Sequence, residues 1–192
     1  MRTIALLFML LAVPLAYAGG HKNWHVQADK SFVTFTSTKN ETIVENHRFG
    51  KLGGVLKESG DLEVAIDLLS VDTKIPIRDD RMRTILFADF GQASLAAGLE
   101  KSIADGIAAG DVSESVLQAV LTMNGQSQEI LLPVSFSVEN GEVTAIATGQ
   151  LDVADYGLAE GVDKLKSIAG LASISTLVDF TAEIVFAQAH HH

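Results

Sequence analysis

Residues 117–141 read LQAVLTMNGQSQEILLPVSFSVENG, and this stretch decides the fold class. Leu117, Ala119, Leu121 and Met123 alternate with more polar neighbours. Ile130, Leu132, Val134, Phe136 and Val138 do the same, with Leu131, Pro133, Ser135 and Ser137 between them. A period of two means side chains pointing alternately to a dry and a wet face, as in a half-buried strand. Asn124-Gly125 and Asn140-Gly141 are dipeptides that accept positive φ, so each predicts a tight hairpin.

The same pattern extends in both directions. Leu62, Val64, Ile66 and Leu68 alternate with Glu63, Ala65 and Asp67, and Ser59-Gly60 is read as a further hairpin turn. Ile174, Val178, Phe180, Ala182, Ile184 and Phe186 share one face near the end of the chain. Weaker strands are expected over 31–37, 48–56, 92–97 and 143–153. Consecutive hairpins make an antiparallel meander, and about eight strands can close on themselves and remove their edges. The expected fold is mainly β: a single eight-stranded antiparallel lipocalin-like β-barrel with two or three short helices.

The helices are expected where the period changes. Pro76 suits a first turn, followed by Asp79 and Asp80 and an apolar stripe of Met82, Ile85 and Leu86. Leu99, Ile103 and Ile107 stand four apart before Gly110. Val162, Leu165 and Ile168 are read as the inward stripe of a third helix that Gly170 closes.

Composition bounds the chemistry. The chain has 192 residues, enough for one domain, and no cysteine, which excludes disulfides and thiolate sites. Arg2, the apolar run Ile4–Leu15 and Ala16-Tyr17-Ala18 read as a secretory signal over 1–18, too short to span a bilayer. The mature domain is then 19–189, and 190–192, three histidines, read as a tag remnant. A periplasmic or secreted location is expected, without stable membrane insertion. Loss of Arg2 takes the net charge of −10 to −11, and such a chain repels nucleic acid and anionic surfaces. His21, His25 and His47 lack metal-ligand spacing, and no Gly-x-Ser-x-Gly or phosphate-loop motif is present. No cofactor, metal or catalytic residue is therefore assigned. A homodimer is compatible with the sequence and not decided by it.

Several stretches resemble the YceI-like family of lipocalin-like proteins. They are WHVQADKSFVTF at 24–35, HRFGKLGG at 47–54, DLLSVDTKIPIRDDRMRTILF at 67–87, LTMNG at 121–125 followed by Pro133-Val134, and GQLDVADY at 149–156. The block from Ser70-Val71-Asp72-Thr73 to Arg78-Asp79 is the most telling. The chain departs from the family pattern at Leu86, where an acidic residue usually precedes the Phe. Gly91-Gln92-Ala93 stands where Tyr-Pro is usual, and 99–109 is a helical insert. The resemblance implies an exported barrel holding a long isoprenoid, quinone or fatty acyl chain in an apolar tunnel.

Inward alternators are the candidate ligand-binding residues: Phe35, Phe49 and Leu52 early in the chain, Leu121, Met123, Val134 and Phe136 in the middle, and Leu151, Val178 and Phe180 late. Taken alone, the pattern builds a solid core equally well; the resemblance implies a hollow one. Met82, Phe87 and Phe90 are expected to cap one end, with Arg78 at a polar gate. Asp72 and Thr73 are expected to cap or tie the helix start, one or the other accepting backbone amides. The helices at 76–87 and 99–109 are expected to control entry. Two other readings stay open. A barrel enzyme would rely on a buried polar group such as His47 or Glu45. An interaction scaffold would present Leu99, Ile103 and Ile107 as an exposed face.

Overall fold

The computed structural model describes residues 23–111 and 113–188, so the signal-peptide and tag readings, His21 among them, lie outside the described residues. Within them the strands close into a ring of eight. β1 comprises Trp24–Val26 and Phe32–Lys39, and β2 comprises Ile43–Phe49 and Leu52–Leu56. β3 is Asp61–Asp67, continued after a 3-10 turn (Leu68–Ser70) by Val71–Asp72. Then follow β4 (Gln92–Gly98), β5 (Ser113–Met123), β6 (Gln126–Glu139), β7 (Glu142–Asp152) and β8 (Leu177–Gln188). Each strand pairs antiparallel with the next. β8 pairs with both halves of β1, Phe186 opposite Val26 and Phe180 opposite Phe35, which shuts the barrel.

The two broken strands are mended by serines. At the break in β1, the Ser31 hydroxyl stands in for both the carbonyl and the amide of a strand residue: it accepts from Val185 N at 3.0 Å and donates to Val185 O at 3.4 Å. At the break in β2, the amides of Gly50 and Lys51 both donate to Ser70 Oγ at 3.1 Å. Buried backbone groups are costly to leave unpaired, so each bend is secured where it would otherwise lose its ladder.

Turn chemistry follows the sequence in two places. Asn124-Gly125 (φ 51 and 70) and Asn140-Gly141 (φ 52 and 82) have both central residues in the left-handed region, as tight hairpins require. Ser59-Gly60 is different. Only Gly60 is left-handed, in a longer turn where Gly60 N donates to Lys57 O and Lys57 N donates to Asp61 O. A further turn at Asn40-Glu41 (φ 48 and 63) joins β1 to β2 and is not anticipated by any glycine.

Connectivity fixes which helix sits at which end. In an up-and-down barrel the β1–β2, β3–β4, β5–β6 and β7–β8 connections share one end, and the others share the opposite end. α1 (Pro76–Arg81, with a wide π turn over Met82–Leu86) lies in the β3–β4 connection, and α3 (Ala159–Ala169) in the β7–β8 connection. Both therefore cover the same end. They touch at Gly161, where an added Cβ would stand 2.8 Å from Leu86 Cδ1. α2 (Lys101–Ala109, closed by left-handed Gly110) lies in the β4–β5 connection and plugs the opposite end.

The 76–87 and 99–109 helices, both expected to control entry, lie at opposite ends of the barrel. Two expectations are corrected. Leu99 and Ile107 are buried and Ile103 is packed against the core, so the stripe is no free docking face. Ile168 of α3 points outward at 49% exposure, while Val162 and Leu165 of that helix face in.

Candidate functional site

A cavity of about 420 Å³ occupies the barrel, within the usual range for small-molecule sites. The pleat aims the walls inward and the size of the side chains decides whether they meet. Val178, Phe180, Ala182 and Ile184 all point inward from β8, yet each is only half-buried. Their remaining free surface faces the hollow. Beside them β7 presents Ala145, Ala147 and Gly149 to the interior, and β4 presents Ala93. The Phe180 ring lies over Gly149, where an added Cβ would come within 2.7 Å of it. Small residues along the inner face of β7 thus keep the barrel open.

Most of the candidates from the sequence line this cavity. Phe35, Phe49, Leu121, Met123, Val134, Leu151, Val178 and Phe180 do so from the strands, and Met82, Phe87 and Arg78 from the α1 end. Phe35 stacks on Phe49 (centroids 4.8 Å apart), and Phe49 meets Phe87 edge-on at 5.9 Å. Phe90 is a step removed: it packs edge-on against Phe87 and does not reach the cavity. Leu52 and Phe136 are corrections. Both are buried in the core but lie off the cavity wall, because an inward direction does not separate a packed layer from a hollow one. The alanines at 93, 145 and 147 went unmarked in the sequence, being too small to register as strong alternators.

One end of the cavity is polar. Ser37 and Lys39 of β1, His47 of β2, and Arg78 and Arg81 of α1 border it. Glu45 Oε2 gathers the cations: it accepts from Lys39 Nζ and from Arg78 Nη1 at 2.5 Å, and Arg78 Nη2 donates to Thr73 O at 2.9 Å. The expected tie at the helix start holds for Asp72 and is reversed for Thr73. Asp79 reaches back from α1 and accepts from Thr73 N at 2.8 Å and Thr73 Oγ1 at 2.5 Å, whereas Asp72 accepts only from Lys74 N. Arg83 ties the same segment down through Leu69 O and Val71 O, both at 2.8 Å.

His47 is buried, edge-on to Phe35 at 5.3 Å, and its Nδ1 makes no hydrogen bond. Burial holds its pKa below the usual 6.5; Arg78 and Lys39 push the same way and Glu45 opposes them. The hydrogen bond from Lys39, helped by Arg78, holds Glu45 below the usual 4.5. The unfolded chain protonates His47 more readily than the folded one does. Stability is therefore complete above pH 6.5 and falls as the pH drops through that value towards the folded pKa. The contribution of Glu45 is present above 4.5 and is lost below it. Urea unfolding is expected to show a midpoint that declines from pH 7 downwards. His47→Gln should flatten the upper part and leave the fall below 4.5. A wild-type midpoint that stays level from pH 7 to 5 would contradict this assignment.

Comparison with known proteins agrees with the architecture. A polyisoprenoid binding domain from Saccharophagus degradans, implicated in plant cell wall breakdown, superposes with a TM-score of 0.80 at 27% identity, covering 86% of this chain and 98% of that one. Burkholderia cenocepacia BcnA gives 0.61 at 16% identity over 83% and 98%, and a Campylobacter jejuni YCEI protein gives 0.51 at 16% over 76% and 85%. The latter two likenesses concern the fold alone. No curated protein sequence matches the chain. The model of the YceI-like domain matches residues 24–186, nearly every described residue, and the chain belongs to the YceI-like family.

Proposed function

We propose that this protein is an exported carrier that holds one long apolar or amphiphilic molecule, of isoprenoid, quinone or fatty acyl type, inside the barrel. The observation that carries the reading is the apolar cavity of about 420 Å³ with half-buried side chains turned into it. Burial of each methylene is worth about 0.8 kcal/mol. A chain of roughly a dozen carbons would gain about 10 kcal/mol gross, from which the costs of association subtract. That is enough for stable retention without any covalent step. The likeness to a polyisoprenoid binding domain supports the same ligand class. Export is proposed from Arg2, the apolar run Ile4–Leu15 and Ala16-Tyr17-Ala18.

A binding role fits the polar end better than a catalytic one. His47 is the titratable group inside with a displaced pKa, which invites a functional reading. A general base needs an orienting partner, however, and Glu45 lies 3.9 Å away, already held by Lys39 and Arg78. Organic extraction of protein purified from its host, followed by mass spectrometry, is expected to recover about one lipid per chain. Protein that carries no lipid and takes up no labelled fatty acid would overturn the proposal.

A further inference from the structure

The barrel wall has a gap beside the polar end of the cavity. Among the described residues, β2 from Ile43 to His47 carries a ladder on one side only, to β1. On its other side pairing begins at Arg48 and Phe49, which meet Asp72 and Val71. Where a further stretch of β3 would have continued, the chain turns into α1. The opening is spanned by a side-chain bridge, Arg78 to Glu45. Lys39, His47 and Arg78 gather around Glu45 at this bridge, and all three line the cavity, as does Arg81.

The lips of this gap are oily and bare. Ile43 and Val44 on the strand are 48% and 61% exposed; Ile75, just before α1, and Ile77, within it, are 44% and 57% exposed. Connectivity places Leu69, Ile168 and Leu177, also exposed, at the same end of the barrel. The other large exposed hydrophobics, Val116, Val120, Leu131 and Ile146, lie on the flank strands β5, β6 and β7. Among the described residues, none lies in the connections at the α2 end.

We propose that this end rests on the surface of a neutral, zwitterionic lipid bilayer, with Ile43, Val44, Ile75 and Ile77 in the head-group layer and the gap facing the membrane. The occupant follows from continuity: the bare apolar residues lie next in sequence to Glu45 and Arg78, whose bridge stands at the polar end of an apolar cavity. This step rests on the carrier reading above. A chain crossing water between bilayer and barrel would expose its whole apolar length, and direct contact removes that barrier. The net charge of −10 opposes an anionic surface, which is why the surface is a neutral one.

The test uses phosphatidylcholine vesicles, a dansyl-labelled fatty acid and two double variants. Wild type is expected to float with the vesicles and to take the probe from them. Ile75→Ser with Ile77→Ser should abolish flotation and slow uptake from vesicles about tenfold, since two large apolar contacts are lost. Uptake of the same probe diluted from ethanol should be unchanged, because the cavity is untouched. Val116→Ser with Leu131→Ser, on the flank, should behave as wild type. Adding phosphatidylglycerol should weaken flotation. The docking proposal falls if the lip variant floats and loads as wild type does, or if the flank variant loses as much. It also falls if wild type does not float and instead forms a dimer that the lip variant lacks. Failure of wild type to load from either source would overturn the carrier reading, while its flotation, and the loss of it in the lip variant, would still decide the docking surface.

Discussion

Ala147→Phe is expected to empty the barrel of lipid while leaving it folded. Ala147 sits on the inner face of β7, opposite Val134 on one side and Ala182 on the other, and all three line the cavity. A phenyl ring at this position projects into the hollow. Inserting bulk into a filled core typically costs 1–3 kcal/mol through strain. Here the ring meets vacant space and buries its own apolar surface, so the net change should stay within about 1 kcal/mol. Lipid per chain after organic extraction should fall at least about tenfold, the effect of only 1.4 kcal/mol. Thr148→Phe, one residue along and pointing outward, is the matched control and should retain its lipid. Full occupancy in the Ala147→Phe protein would mean that the guest sits somewhere other than this cavity.

The reason this test can be aimed at a single alanine is also the reason the site was only partly legible in the sequence. Strand direction is a backbone property with period two, and large apolar residues write it plainly at Leu117–Met123 and Ile130–Val138. Hollowness is a property of the whole inner surface. It depends on Ala145, Ala147 and Gly149 being small where Phe180 and Leu151 are not, and small residues leave a faint mark on any hydrophobic pattern. Leu52 and Phe136 show the converse: both point inward, and neither reaches the vacant layer. The first half of β2 was missed for a different reason. Its inward positions are Glu45 and His47, and Val44 faces out, so the alternation runs backwards. That inversion marks the polar end of the cavity. In β2 the departure from the strand pattern coincides with the part of the wall that differs in polarity and pairing.

The start of α1 depends on one carboxylate, and Asp79→Ala is expected to cost the most stability of any change at this end. Asp79 is 9% exposed and accepts two hydrogen bonds from Thr73, one from its amide and one from its hydroxyl. Truncation removes both and leaves a buried amide without a partner. Hydrogen bonds to a charged group contribute about 1.5–3 kcal/mol each. Because the two share one acceptor and are not additive, a loss of about 3 kcal/mol is expected, or roughly 6–12 °C in Tm for a domain of this size. Asp79→Asn keeps an acceptor oxygen and should lose less than half of that. The consequence extends to binding. Thr73 O also receives Arg78 Nη2, and Arg78 carries the bridge to Glu45. Releasing the start of α1 therefore loosens the polar end of the cavity together with the fold. Lipid should dissociate faster from the alanine variant at temperatures where the barrel remains folded by circular dichroism. If Asp79→Ala melted within about 1 °C of wild type, the Thr73–Asp79 contact would carry no weight, and the positioning of Arg78 would need another cause.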